Sequence, residues 1–195
     1  MNLPYPVVLA SGSPRRRELL SQLVKEFEVV VSDVDESVLP EESAGDLAER
    51  LAGEKARAVS LLRPGALVIG GDTVVTLPGP ERQILNKPND VEEAVDMLRR
   101  LSGRAHQVIT GVSVVWAYGA VAFQATTEVE FRKLTDEEIH AYVATGEPMD
   151  KAGAYAIQGG AGRFVQAVEG SMSNVIGLPI EALEDVLRNV FGAGE

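Results

Sequence analysis

The 195-residue chain contains no cysteine. Disulfides and thiolate nucleophiles are therefore excluded, while the redox compartment is left open. Histidine is nearly as scarce. His106 and His140 are the two in the chain, too few for a histidine-rich metal centre, so a hard, oxygen-ligated cation such as Mg²⁺ is the compatible kind. No run of roughly 18 apolar residues occurs, which leaves no membrane-spanning segment. The opening MNLPYPVVLA lacks the charged start and long apolar core of a signal peptide, so a cytoplasmic location is expected. No phosphate-loop pattern GxxxxGKS/T is present, and the glycine spacing of a dinucleotide fold is missing too. Positive charge is in deficit: 18 Lys and Arg stand against 29 Asp and Glu, a net charge of −11. An acidic chain of this kind is a poor partner for a nucleic-acid polymer.

Against that acidic background, LASGSPRRRELL (Leu9 to Leu20) stands out. An apolar run stops at Ser11-Gly12-Ser13-Pro14 and a helical pattern follows, with Leu19, Leu20 and Leu23 on one side. Ser13 suits an N-cap and Pro14 the first helical position. Arg15, Arg16 and Arg17 then lie at the positive end of a helix, where cations are disfavoured and anions are welcome. The arrangement makes sense around a bound anion such as a phosphate. The acidic net charge points to a small anion.

The rest of the chain alternates strand and helix signals. Phe27 to Val31 reads as a strand, followed by the acidic loop Ser32 to Ser37. Ser43 to about Leu62 reads as a helix, weakened by Gly53 by about 1 kcal/mol relative to alanine. Ala66 to Ile69 reads as a short buried strand ending at Gly70-Gly71-Asp72-Thr73, and Val74-Val75 resumes apolar character. Leu77-Pro78-Gly79-Pro80 reads as a turn. Asn89 or Asp90 caps a helix over Val91 to Leu101. Gln107 to Ala117 and Val121 to Arg132 form a hairpin across Tyr118-Gly119-Ala120. Thr135 and Glu138 have the spacing of a capping box, for a helix ending near Gly146. Gly153 to Gly162 is glycine-rich, Phe164 to Val168 is a strand, and Pro179 to Phe191 is a closing helix. This mixture predicts an α/β fold around a mixed sheet. A smaller lobe is expected around the Asp136–Gly146 helix. No repeat or low-complexity linker interrupts the chain, so residues 1–195 are expected to form one domain.

Several residues carry potential chemistry. Asp72, at the end of a buried strand and flanked by glycine, has the setting of a turn cap. It equally has the setting of a metal ligand or general base at a strand terminus, where α/β proteins place ligands. Asp35 and Glu36 are its natural companions, since Mg²⁺ commonly takes one or two carboxylates and completes its shell with water and phosphate oxygens. Lys55, Lys87 and Lys151 read individually as solvated charges. Lys87 gains weight from the following proline, which holds its backbone extended, and Lys151 from the glycines after it. Gln158 offers a donor and an acceptor to a base edge or to a turn. Trp116 reads as core, and His106 and His140 as structural or exposed. Arg99 and Arg100 complement a helix C-terminus.

Taken together, LASGSPRRRELL, SDVDES, EKARAV, GGDTVV, NKP, MLRRLSGRAHQVITGV and GEPMDKAGAYAIQGGAGRFVQAVEGSMSNVIGLP resemble the Maf family of nucleoside triphosphate pyrophosphatases, also called septum formation proteins. The resemblance runs from about Val8 to Leu187. It implies a two-lobed α/β fold related to the inosine triphosphate pyrophosphatases, with the active site in the cleft. It further implies hydrolysis of a nucleoside triphosphate to monophosphate and pyrophosphate with a divalent cation, Mg²⁺ or Mn²⁺. The family's catalytic aspartate falls on Asp72, and its metal-associated acidic residues on Glu36 and Asp72. The triphosphate-binding residues fall on Ser11, Arg15, Arg16, Lys55, Lys87 and, more loosely, Lys151. One branch acts on dTTP and UTP, another on 7-methyl-GTP. The wording DKAGAYAIQG matches the first branch, with its specificity positions on Arg15, Thr73 and Gln158. Asn86 and Arg17 depart from the family pattern at positions not expected to touch the chemistry. A homodimer is suggested by the resemblance alone. In the reaction so implied, water attacks the α-phosphorus, and Asp72 either accepts a proton or holds the cation. The competing readings are a non-catalytic nucleotide-binding regulator of cell division and a 7-methyl-GTP-preferring enzyme.

Overall fold

The computed structural model describes residues 1–79 and 83–192. Pro80, the last residue of the expected 77–80 turn, lies outside the described residues. In chain order the elements are β1 (Val7–Ala10), α1 (Pro14–Ser21), β2 (Glu28–Val29), α2 (Ala44–Leu62), β3 (Leu67–Thr76), β4 (Ile84–Leu85) and α3 (Val91–Leu101). They continue with β5 (Ala105–Trp116), β6 (Gly119–Phe131), α4 (Asp136–Val143), β7 (Val165–Glu169), α5 (Met172–Ile176) and α6 (Ile180–Phe191). Three short 3₁₀ turns lie between α4 and β7. No helix among the described residues is long and apolar enough to cross a membrane.

The strands form one mixed sheet in the order β2-β1-β3-β5-β6-β7. β1 pairs in parallel with β2 and β3, and the β3–β5–β6–β7 pairings are antiparallel. The α/β mixed-sheet expectation is therefore borne out. The helix starts follow local chemistry. Ser13, Ser43, Asp90 and Thr135 each accept a hydrogen bond from the first turn of their helix, and Thr135 with Glu138 completes the capping box.

Three expectations needed correction. The hairpin turn is Ala117-Tyr118, with Gly119 and Ala120 paired in β6 rather than in the turn. The second strand shrinks from Phe27–Val31 to Glu28–Val29, because only Val8 and Leu9 of β1 offer it register partners. The segment through Gly70-Gly71-Asp72-Thr73 is not a strand end but the middle of ten-residue β3. β5 pairs with β3 continuously, setting Asp72 opposite Gly111 and Thr73 opposite Thr110. The glycines serve the packing of α2. A Cβ at Gly70 would run into the carbonyl of Ala52, and one at Gly111 into the backbone of Ala48. These two glycines face Ala48, Ala52 and Ala56, and so let α2 lie directly on the sheet.

Side chains alternate across β3. Val68 and Val74 face α2, whereas Leu67, Ile69 and Val75 face the opposite side. On that opposite side there are two apolar cores. One joins Leu9, Ile69 and Val112 to Leu20 of α1 and Leu183 of α6. The other joins Val75, Val108 and Phe131 to Leu98 of α3, Tyr142 of α4, Tyr155 and Phe164. Between them runs a polar stripe of Thr73, Thr110 and Thr127, with buried Asn174 of α5 laid over it. The two cores give the fold its two lobes, and the stripe marks the junction.

Candidate active site

The site forms where one edge of β3 loses its neighbour. β1 pairs with β3 as far as Gly70, and β4 takes up the same edge again at Val75. Asp72 and Thr73 occupy the interval, on opposite faces of the strand. A cleft of about 390 Å³ opens there. Its lining includes Ser11, Arg15, Arg16, Glu36, Lys55, Asp72, Thr73, Lys87, Lys151 and Gln158. Ten residues singled out from sequence thus converge on one cavity from β1–α1, the acidic loop, α2, β3, the loop after β4 and the segment after α4. Asp35 is absent from this lining; its Oδ1 instead accepts the Ser37 amide at 3.0 Å.

On the α2 face, Lys55 is the centre of charge. Its Nζ lies 2.6 Å from Glu36 Oε1 and 2.8 Å from Asp72 Oδ1. Lys87 Nζ reaches the other oxygen of Glu36 at 3.3 Å. Partial burial opposes ionisation of Glu36, but the bonds and charges of Lys55 and Lys87 outweigh it and hold the carboxyl below the ordinary glutamate range. Lys55 is almost wholly buried because α2 lies so close to the sheet.

On the other face, Arg16 is bound by the protein itself. Its Nε donates to the Gly177 carbonyl at 2.7 Å, one terminal nitrogen to Ser11 Oγ at 3.3 Å, and the other to Thr73 Oγ1 at 2.9 Å. Burial pulls its guanidinium below the usual arginine value, against the attraction of Asp72 and Glu36. The Arg15 side chain makes no hydrogen bond or ion pair among the described residues, although it lines the cleft. Arg17 is exposed. The three successive arginines therefore differ: Arg16 is built into the wall, Arg15 is available to a ligand, and Arg17 faces solvent.

Lys151 and Gln158 arrive on a segment held in an unusual conformation. Gly153 and Ala154 both have positive φ, 70° and 60°. For alanine this costs roughly 1–2 kcal/mol, and Ala154 is fully buried. The Gly153 amide bonds to the Asn86 carbonyl at 3.3 Å, and the Ala156 amide to the Tyr142 hydroxyl at 3.0 Å. A Cβ at Gly153 would sit 2.9 Å from Val75. The Asn86-Lys87 loop and the Lys151 segment are thus fastened to each other and to β3. Lys151 Nζ bonds to Asp150 at 2.6 Å and to the Glu147 carbonyl at 3.0 Å. Gln158 is exposed at the rim.

Below the cleft, Tyr155 rests on buried His106, whose Nε2 lies 2.8 Å from the phenol oxygen. Burial lowers the His106 pKa to about 4, so the imidazole is neutral. His140 is exposed, and Trp116 packs against Phe191 at the edge of its core. All three lie outside the lining, as expected from sequence.

Among the described residues no group of three or more His, Asp or Glu side chains has the arrangement of a protein-only metal cage. Glu36 and Asp72 nevertheless bring hard oxygen donors to one ammonium nitrogen. Two carboxylates suit Mg²⁺ when substrate oxygens and water complete the shell.

The mixed-sheet α/β fold is shared with solved HAM1 proteins. It superposes on a HAM1 protein from Coxiella burnetii with a TM-score of 0.55 at 13% identity, covering 95% of this chain and 99% of that one. The chain belongs to the Maf family: residues 6–190 match the family model described as Maf-like protein. It is 51% identical over 189 residues to a protein of Desulforamulus reducens named dTTP/UTP pyrophosphatase, covering 96% of this chain and 97% of the relative. It is 52% identical over 186 residues to a protein of the same name from Anaeromyxobacter dehalogenans, covering 93% and 92%.

Thr110, Asn174 and Gly177 were not found by sequence reasoning. They support Arg16 and Thr73 from residues 37 to 161 positions distant in the chain; they lie within the quoted motifs, but nothing local singles them out from their neighbours there.

Proposed function

We propose that this protein hydrolyses dTTP and UTP to the nucleoside monophosphate and pyrophosphate. The observation that carries the reading is the cleft itself: Arg15, Arg16, Lys55, Lys87 and Lys151 line it together with the carboxylates of Glu36 and Asp72. An acidic protein that gathers five cations in one 390 Å³ cavity has a site for a compact polyanion. The names of the relatives supply the nucleotide class.

In this reading Arg15 and Lys87 engage the triphosphate from the open side, and Arg16 shapes the wall behind it. Water attacks the α-phosphorus, the bond to the bridging oxygen breaks, and pyrophosphate leaves with the electron pair. Asp72 uses Oδ1 to hold Lys55 and keeps Oδ2 for the attacking water's proton or for the cation. A bound Mg²⁺ or Mn²⁺, held by Glu36 and Asp72, supplies double positive charge to the phosphate oxygens. Positioning and charge stabilisation are most of what phosphoryl chemistry requires. Gln158 and Thr73 face the base. The test is pyrophosphate release from a panel of triphosphates: turnover confined to purine or 7-methyl-GTP substrates contradicts the pyrimidine assignment.

A further inference from the structure

We propose that Thr110 is a positioning residue that makes Thr73 a pure hydrogen-bond acceptor toward the base, and so selects a pyrimidine bearing a ring N3–H over cytosine. The inference rests on the pyrimidine reading above. It starts from a chain of four polar groups with both ends chemically fixed. A guanidinium can only donate, and Arg16 meets Thr73 Oγ1 at 2.9 Å. A carbonyl can only accept, and the Asn174 carbonyl lies 3.1 Å from Thr110 Oγ1. Between these ends the two threonine hydroxyls are 2.9 Å apart.

The direction of the middle bond follows. Asn174 is fully buried. The amides of Gly177 and Leu178 both bond to the Ser173 carbonyl instead, each at 3.0 Å, so the Asn174 carbonyl relies on the Thr110 hydroxyl. Leaving a buried carbonyl without a donor is costly. The single hydroxyl hydrogen of Thr110 therefore goes to Asn174. The hydrogen of Thr73 goes to Thr110, and Thr73 accepts from Arg16. What Thr73 retains for a ligand is one lone pair and no hydrogen. Uracil and thymine place N3–H where cytosine places a bare nitrogen lone pair. The first completes the bond; the second sets two acceptors against each other. Thr110 is fully buried and outside the cleft lining, so it acts through Thr73 and not by contact.

The test compares kcat/KM for UTP and CTP in the wild type, Thr110→Val and Thr110→Ser. Equilibrium binding of UMP and CMP provides the same ratio without turnover. Valine releases the Thr73 hydrogen toward the cleft, and the UTP-to-CTP ratio is expected to fall about tenfold or more. Serine keeps the hydroxyl and is expected to keep the ratio. A purely structural role lowers both substrates in proportion. An unchanged ratio in Thr110→Val, or a collapsed ratio in folded Thr110→Ser, overturns the proposal, as does a wild type indifferent to UTP and CTP. A wild type that hydrolyses neither UTP nor dTTP overturns the substrate reading, and the UMP-to-CMP binding ratio still decides the role of Thr110.

Discussion

Lys55 Nζ lies 2.8 Å from Asp72 Oδ1 and bonds to Glu36 through the same nitrogen. One ammonium thus holds together two carboxylates from separate elements. Replacing it, as in Lys55→Met, leaves like charges facing each other and removes the main support for the Glu36 anion. The kcat/KM for UTP should fall by about 100-fold or more, as when a charge-stabilising donor is lost. Glu36 is held below its ordinary pKa by Lys55 and Lys87, so losing Lys55 raises that pKa. The acid limb of the pH–rate profile should then move to higher pH. A profile of unchanged shape would separate Glu36 from the reaction.

Lys55 reaches β3 because Gly70 and Gly111 have no Cβ. Valine at either position collides with the α2 backbone. Overpacking of this kind costs about 1–3 kcal/mol, read as a lower denaturation midpoint, with activity lost alongside. Gly53→Ala should act in the opposite direction. Its Cβ meets only the far end of the Arg57 side chain, and alanine favours the helix by about 1 kcal/mol. Destabilisation by Gly53→Ala would show a constraint on α2 beyond this contact.

These glycines mark the boundary of what the sequence discloses. Local signals located the helix starts at Ser13, Ser43 and Thr135, the hairpin, and the acidic loop, because each depends on neighbours in the chain. The local pattern ended the strand at Gly70-Gly71, since the helix that needs Gly70 and Gly111 lies outside any local window. The cleft residues were legible as a set of motifs, but their division of labour was not. That Arg16 is spent on Gly177, Ser11 and Thr73 while Arg15 is free follows from contacts up to 161 residues apart. β4 and α5 were missed because they are two and five residues long, too short for periodicity to register.

Arg15→Ala should lower kcat/KM for triphosphates by about 100-fold, with KM raised and kcat reduced together. The Arg15 side chain has no hydrogen-bonded partner among the described residues, so the fold should be undisturbed and the melting temperature unchanged. A change in KM alone would confine Arg15 to ground-state binding.

His106 imposes a pH dependence on stability. Its folded-state pKa is about 4 against an ordinary 6.5. Above about pH 6.5 both folded and unfolded states hold it neutral, and its full contribution is present. As pH falls toward 4 the unfolded chain takes up the proton first, and stability is lost. The total is roughly 3 kcal/mol at about 1.4 kcal/mol per pH unit. Denaturation midpoints measured from pH 7 to 4 should decline, and His106→Gln should flatten that decline. An equally steep decline in the variant would assign it to other groups.

The most direct test of the catalytic assignment is pyrophosphate release from UTP with Mg²⁺ by the wild type and by Asp72→Asn. The wild type should turn over, and the isosteric variant should lose activity by at least about 100-fold while still binding nucleotide in the cleft. Equal rates in the two proteins would contradict the role given to Asp72.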